Sequence, residues 1–435
     1  MGRSTGWKAA LRLSGLILLL SLARGAALPW SAHALDLLAQ ARQQVAEGNL
    51  EEAARLARKE AVVHPEEGES WKLLGAVALQ RGDWPQAERA LERALRVRGR
   101  DPEAASLLAV LWRREGRFRD AADLLRLLGG EAEADQLAGF GREAPFLQRG
   151  PDEIQLDWVG SGLRPVVPVL VGGKRWANFL VDTGASCVVL DRRLAEEIRL
   201  PPAGSAQLIG AGARSASGKL GRLDSLRFGA TEVRNIPVVV VDLRQPERVG
   251  ESFDGILGSE FLQHFVVTLD YPRRRLSLQK AERSGTGRSA PASAGVRAAE
   301  VPLRLTPGGL LVVPMEVASR ERLLVFLDTG AAETALALSR RAARRLGLTP
   351  SSRGDRYFGV GGRYLASPIL LPEVRFAGFS AHHLSGVIAP FPQRIEQGEG
   401  LPLGGFLGSG FCRRFRVTID FSRMRVRLAM PERET

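Results

Sequence analysis

The 435-residue chain is poor in the residues that build metal and disulfide frameworks, with two cysteines and five histidines. Cys187 and Cys412 stand far apart, outside any Cys/His ligand spacing, which leaves no zinc motif and no disulfide framework. Both read as small apolar residues, and the sequence neither requires nor forbids a bridge between them. His382-His383 reads as a surface-loop pair without a third ligand, and His264 as structural. No metal or other cofactor is expected. Ser186 and Ser259 have no His and acid partner at recognisable spacing, which argues against a serine hydrolase. The glycine clusters fit neither a P-loop nor a dinucleotide fingerprint. Aromatic residues are only 6 % of the chain, and no Lys/Arg block is interleaved with them. The net charge of +13 is spread along the sequence among acidic residues, so nucleic acid is not an expected partner. Long apolar runs are also missing. Leu13 to Ala23 falls short of the ~20 residues that span a bilayer. With Arg3, Lys8 and Arg12 before it and Ala32-His33-Ala34 after it, residues 1–34 read as a signal peptide. The expectation is an exported chain, periplasmic or secreted, with no stable membrane span after cleavage. An uncleaved N-terminal anchor is the alternative.

What is present is repetition at two scales. Length alone implies several domains, and the 45 % apolar and 25 % charged fractions are those of globular protein. Gly48, Gly82 and Gly116 recur every 34 residues, and Ala53, Ala87 and Ala121 keep the same spacing. Trp71, Leu74, Gly75, Ala87, Leu91 and Ala94 fall at helical spacing in the clearest copy. This pattern resembles a tetratricopeptide repeat array of three units over residues 35–136, each unit two helices joined at its glycine. One such unit cannot bury its apolar face alone, so stacking is required. The resemblance implies a module that binds a protein partner or substrate. A stalk or a packing module for the following domain is the structural alternative.

The second repeat is longer. Asp182-Thr183-Gly184 and Asp328-Thr329-Gly330 are 146 positions apart. Apolar strand patterns deliver both, Phe179-Leu180-Val181 and Val325-Phe326-Leu327. Gly255-Ile256-Leu257-Gly258-Ser259 follows the first and Gly405-Phe406-Leu407-Gly408-Ser409 the second, offset by 150. A near-constant offset over more than a hundred residues means a duplicated domain, with lobe 1 at 152–280, a Ser/Gly/Ala-rich linker at 281–299 and lobe 2 at 300–430. One helix is expected in each lobe, Arg192–Ile198 and Ser339–Leu346. The glycine after each Asp-Thr lets the chain turn sharply, and the Thr hydroxyl can bond backbone across a lobe interface. Two carboxylates about 3 Å apart cannot both ionise, so such a pair shares one proton and holds a general base beside a general acid.

An apolar-apolar-Asp-Thr-Gly-Ala motif followed by Asp-Gly-Ile-Leu-Gly resembles the retropepsin-like aspartic proteases. The resemblance implies two closed all-β lobes of six or seven strands behind the α-helical repeats. It implies Asp182 and Asp328 as catalytic residues supported by Thr183, Gly184, Thr329 and Gly330. The implied activity is endopeptidase cleavage of a peptide or protein substrate. Family members cover the cleft with hairpin flaps, for which Ile209–Gly218 and Phe358–Ala366 are candidates. Gly210, Gly212, Gly359, Gly361 and Tyr364 would then contact substrate. Ala185 and Ala331 replace a hydroxyl that pepsin-like members usually carry beside the carboxylate, which implies activity at milder acidity. A non-catalytic peptide-binding scaffold, or a protease that pairs lobes between two chains, is the alternative.

Overall fold

The computed structural model describes residues 32–208, 216–243, 252–282, 297–318, 321–332, 334–352, 354–359, 362–391 and 401–431. Gly210, Gly212 and Gly361, the signal segment through residue 31 and most of the linker lie outside them; Gly359 and Tyr364 are described as backbone only.

Three helix pairs open the chain: α1 (Ala32–Glu47) with α2 (Leu50–Val63), α3 (Gly68–Gln80) with α4 (Trp84–Arg98), and α5 (Pro102–Arg114) with α6 (Phe118–Leu127). A short α7 (Glu131–Ala138) follows. The 34-residue glycine period has a backbone cause. Gly48, Gly82 and Gly116 adopt φ of +87°, +74° and +78°, left-handed turns that a side chain would strain. The periodic alanines Ala53, Ala87 and Ala121 are fully buried where the helices cross. Gly75 has the same use, since a Cβ there would stand 2.6 Å from Leu91 Cγ. Asp83 caps α4 by accepting from Gln86 N, and Asp101 caps α5 by accepting from Glu103 N and Ala104 N.

Lobe 1 contains β1 (Leu147–Arg149), β2 (Glu153–Asp157), β3 (Val166–Val171), β4 (Arg175–Val181), β5 (Val188–Asp191), α8 (Arg192–Glu197), β6 (Pro202–Leu208), β7 (Ala216–Phe228), β8 (Thr231–Val241), β9 (Gly255–Leu257), α9 (Ser259–Leu262), β10 (Phe265–Asp270) and β11 (Arg275–Lys280). Lobe 2 repeats the plan with β12 (Ala298–Pro302), β13 (Arg304–Leu305), β14 (Leu311–Val317), β15 (Glu321–Asp328), β16 (Leu336–Ser339), α10 (Arg340–Arg345), β17 (Asp355–Gly359), β18 (Gly362–Phe376), β19 (Phe379–Ala389), β20 (Gly405–Gly408), α11 (Ser409–Cys412), β21 (Arg416–Asp420) and β22 (Arg425–Ala429). Each lobe is an eight-stranded sheet closed on itself. In lobe 1 the ring β8-β5-β9-β4-β3-β7 closes through β7–β8 pairing, and in lobe 2 the ring β14-β15-β20-β16-β19-β18 closes through β14–β18. Closure removes most of the exposed edge that an open sheet would present.

A third sheet, β12-β22-β21-β10-β11-β2, joins the lobes. Its centre is the antiparallel β10–β21 pair, where Thr268 lies opposite Thr418 and their hydroxyls meet at 3.0 Å. These two residues are equivalent in the duplication, offset by 150, so a local twofold passes between them. The helical array is not a free stalk. Ala109, Phe118, Leu125, Leu137 and Phe140 of its C-terminal half share one core with lobe 1. Its first three helices share a separate core with lobe 2.

Several expectations need correction. The linker does not reach residue 299, because Ala298 and Ala299 already pair with Ala429 and Leu428 in the joining sheet. His382-His383 lies on strand β19 rather than in a loop. α9 and α11 were not expected, since a single turn is too short to show a period. The expected closure with six or seven strands holds: among the described residues each ring has six strands, and two further strands extend the sheet to eight. Both thiols are free.

Glycines of the second motif are forced by close approach. A Cβ at Gly408 would collide with the backbone carbonyl of Thr334 and lie 2.6 Å from that of Ala331. Gly408→Ala is therefore expected to destabilise the chain by about 1–3 kcal/mol or more by overpacking against backbone. A shift in the urea unfolding midpoint at unchanged slope checks this.

Candidate active site

β4 and β15 each end at the aspartate of an Asp-Thr-Gly loop. β4 runs parallel to β9 in register Leu180↔Ile256, and β15 parallel to β20 in register Phe326↔Phe406. The second motif thus lies beside the strand that carries each carboxylate. Gly255 has no side chain because the Phe179 ring fills that space. The loops are pinned to their own lobes alike: Ser259 N donates to Ala185 O at 2.8 Å, and Ser409 N to Ala331 O at 3.0 Å.

The two loops meet across the local twofold. Thr183 Oγ1 donates to Leu327 O at 2.7 Å, and Thr329 Oγ1 donates to Val181 O at 2.7 Å. Each hydroxyl also accepts from the opposite loop, Thr183 N to Thr329 Oγ1 at 3.0 Å and Thr329 N to Thr183 Oγ1 at 3.1 Å. Both threonines are buried, so these four bonds are shielded from water. Beneath Thr329 the chain continues: Ser409 Oγ donates to Thr329 O at 2.9 Å and lies 2.8 Å from the buried Tyr271 hydroxyl. Ser409 has one proton and gives it to Thr329 O, so Tyr271 donates to Ser409. Tyr271 belongs to lobe 1 and Ser409 to lobe 2, so this too is a lobe-to-lobe link. The sequence reading missed it, although Tyr271 and Phe421, and Ser259 and Ser409, are visibly equivalent pairs.

The carboxylates face one another. A Cβ at Gly184 would lie 2.8 Å from Asp328 Cγ, and one at Gly330 would lie 2.7 Å from Asp182 Cγ. Each glycine therefore makes room for the carboxylate of the opposite lobe. Gly184 N donates to Asp182 Oδ1 at 2.8 Å and Ala331 N to Asp328 Oδ1 at 3.0 Å. Burial, and next the neighbouring Asp182 carboxylate with its side-chain hydrogen bond, hold Asp328 well above the ordinary carboxylate range. The backbone N–H bonds oppose this shift without cancelling it. Two carboxyl groups this close titrate as a pair, so the steps belong to both residues. Arg164 Nε reaches Gly330 O at 3.4 Å from the other lobe.

Apolar walls flank the pair. Side chains alternate along a strand, so Leu180 and Phe326, two residues before each aspartate, share its face. In lobe 1 that wall includes Leu180, Val189, Val239, Phe253 and Ile256. In lobe 2 it includes Val312, Phe326, Val387 and Phe406, with Phe326, Phe391 and Phe406 in mutual ring contact. Stems of the two candidate flaps are hairpins. β6 pairs with β7 below residues 209–215, and β17 pairs with β18 out to Gly359↔Gly362. The loop glycines 210, 212 and 361 lie outside the described residues. Asp182, Thr183 and Gly184 thus come together with Asp328, Thr329 and Gly330 within one chain, and each hairpin stem belongs to the same lobe as one aspartate.

Residues 167–261 and 313–411 each match the aspartyl protease family, and residues 38–87 and 73–135 match the tetratricopeptide repeat family. The two protease segments contain Asp182 and Asp328 respectively. Among curated proteins, none matches the chain.

The shielded threonine exchange makes a sharp expectation. Thr183→Val keeps the shape but leaves Leu327 O and Thr329 N without a buried partner, at a cost of about 2–4 kcal/mol. Thr183→Ser should stay close to wild type in the same chemical-unfolding measurement. A second expectation concerns pH. A carboxyl whose folded pKa is raised binds its proton more tightly when folded, so its stability contribution is full below the unfolded value and falls as pH rises towards the folded one. Asp328→Asn should therefore melt higher than wild type at neutral and mildly alkaline pH, with the gap closing below pH ~4. Calorimetric scans across pH measure it.

Proposed function

With both lobes matched to the aspartyl protease family behind a tetratricopeptide array, we propose that the chain is an aspartic endopeptidase whose dyad is Asp182 and Asp328. The observation that carries this reading is the mutual approach of the two carboxylates across glycines 184 and 330. The shared proton supplies an acid and a base in one site. The ionised carboxylate removes a proton from a water between the pair, and the water oxygen adds to the scissile carbonyl carbon. The protonated carboxyl gives its proton to the carbonyl oxygen, which yields a tetrahedral diol. In the second half the roles exchange. A diol hydroxyl returns a proton to one carboxylate, the other carboxyl protonates the amide nitrogen, and the carbon–nitrogen bond breaks. One water is consumed and the dyad ends with its single proton. Thr183 and Thr329 hold the loops while charge moves between them, so little reorganisation accompanies each transfer.

Leu180 with Ile256, and Phe326 with Phe406, form buried apolar walls on either side of the dyad, a lining that suits an extended peptide with apolar side chains about the cleaved bond. The hairpin stems at β6–β7 and β17–β18 support flaps over that peptide, with Gly210, Gly212, Gly359, Gly361 and Tyr364 as their contact residues. The repeat array suggests protein interaction, and we assign it a role with substrate or partner protein. The basic and apolar N-terminal segment supports export to the periplasm or exterior. Among the described residues no helix is long and apolar enough to cross a membrane.

Asp182→Asn and Asp328→Asn should each lower kcat on an apolar peptide library by about 10³-fold or more while the chain still folds. Activity of the wild type should hold towards neutral pH and fall as pH rises through the raised pKa of the pair, because the acid is then lost. Full activity in either Asn variant would overturn the dyad.

A further inference from the structure

The helical array lands where a substrate would. The wall that flanks Asp328 does not end at lobe 2. Val45, Leu50, Ala54, Leu74 and Val77 of α1–α3 form one buried cluster with Leu310, Leu324, Phe326 and Phe406. The cluster reaches Ala331, three residues past the aspartate. Contact is direct at the α1–α2 turn. A Cβ on Gly48 would lie 3.1 Å from Leu324 Cδ2, and the buried Arg304 guanidinium donates to Gly48 O.

Comparison of the two lobes shows that this side is built for the contact. Subtracting 146 places Arg164 at the position of Leu310 and Asn178 at the position of Leu324. Both lobe 1 residues are half-buried and polar, and both lobe 2 residues are apolar and buried, at 8 % and 6 % exposure. The lobes have diverged from polar to apolar where the helices rest, which is the pattern of a retained interface.

The other end of the array is fastened differently. Gln136 Nε2 donates to Gly221 O at 2.8 Å and Val238 O at 3.0 Å, and Arg113 pairs with Glu260 at 2.8 Å. The C-terminal helices also share the lobe 1 core. Between the two attachments, α3–α5 pack largely among themselves around Leu79, Leu91, Leu108 and Leu111. The α1–α3 contact with lobe 2 has its own core, and beyond it Arg114 of α5 donates to Thr306 O of lobe 2 and the α3–α4 turn at Gly82 lies against Met424.

Resting on the hydrolase reading above, we propose that α1–α3 form an intramolecular cover over the lobe 2 wall of the dyad cleft, and that cleavage of an extended peptide requires this end to lift while α5–α7 stay docked. Apolar side chains of a substrate compete with Leu50, Leu74 and their neighbours for one surface. A protein ligand that binds the first repeats in their undocked form would act as an activator, since it shifts the population towards the open state.

The test uses the full chain in two opposed variants. Leu310→Arg/Leu324→Asn installs the lobe 1 residues and weakens the docking. Gly48→Cys/Leu324→Cys can be oxidised to lock it. The weakened variant should cleave a long apolar peptide with kcat/KM raised tenfold or more, on the order of 1.4 kcal/mol of docking energy removed. It should also show faster amide exchange in α1–α3 with α5–α7 unchanged. The oxidised lock should lose at least tenfold in rate and regain it on reduction, a comparison made within one folded protein. Equal rates before and after reduction would overturn the cover, as would an unchanged rate and unchanged exchange in the weakened variant. If no variant cleaves the library and none binds a statine-type peptide, the hydrolase reading itself fails and the cover falls with it.

Discussion

Two threonine hydroxyls set the geometry on which everything else depends. Each donates to a carbonyl of the opposite lobe and accepts from the opposite Thr N–H, so four hydrogen bonds close a ring across the local twofold. A hydroxyl is the smallest group that can donate and accept at once, and the duplication supplies two in mirrored positions. The ring fixes how near the strands β4 and β15 come at their ends. That spacing fixes the separation of the carboxylates, and the separation fixes their shared proton. The β10–β21 pairing, with Thr268 against Thr418, repeats the same symmetry in the joining sheet. Tyr271 and Ser409 extend the grip below Thr329.

Bringing two carboxylates together is unfavourable, and the structure shows what holds them there. Burial and mutual repulsion raise the pKa of Asp328, and backbone N–H groups from Gly330 and Ala331 offset part of that cost. Neither glycine of the triplets is present for turn flexibility alone. Each clears the volume into which the other lobe's carboxylate projects. Ala331 gives its carboxylate a backbone donor, Ala185 N turns instead to Asp182 O, and neither carries a hydroxyl, so one stabiliser of the charged form is missing. A pair that keeps its proton nearer neutrality follows from these two facts together.

Much of this could be read from the chain before its fold. The 34-residue glycine period announced left-handed turns, and the turns are there at Gly48, Gly82 and Gly116. The Asp-Thr-Gly duplication announced two equivalent strand ends and a role for the Thr hydroxyls. Other features were illegible for physical reasons. α9 and α11 are single turns held by tertiary contact rather than by a period. Ala298 and Ala299 belong to a Ser/Gly/Ala-rich stretch and become strand only because β22 presents a partner edge. Packing of the array on the following domain stood as one of two alternatives, and which surface it covers was the largest omission. Apolar faces on helices announce that something covers them, but the sequence alone does not name the cover.

That omission bears on what a repeat array means in this chain. A tetratricopeptide surface is usually read as waiting for a partner from outside. Here its N-terminal end shares a core with lobe 2 and its C-terminal end a core that runs through both lobes, and the N-terminal end meets the strand that carries Asp328. The loops that hold the dyad are fixed by hydrogen bonds that do not involve the array, so the catalytic geometry does not require it. The wall beside the dyad is another matter, because its apolar area is already satisfied by α1–α3. Burying the same side chains against a peptide gains free energy only to the extent that the peptide packs better than the helices do, since both remove that surface from water. Under the proposed peptidase function, selectivity for substrate would come from a contest over one surface rather than from the dyad, and any molecule that stabilises the undocked helices would enter that contest on the side of the peptide.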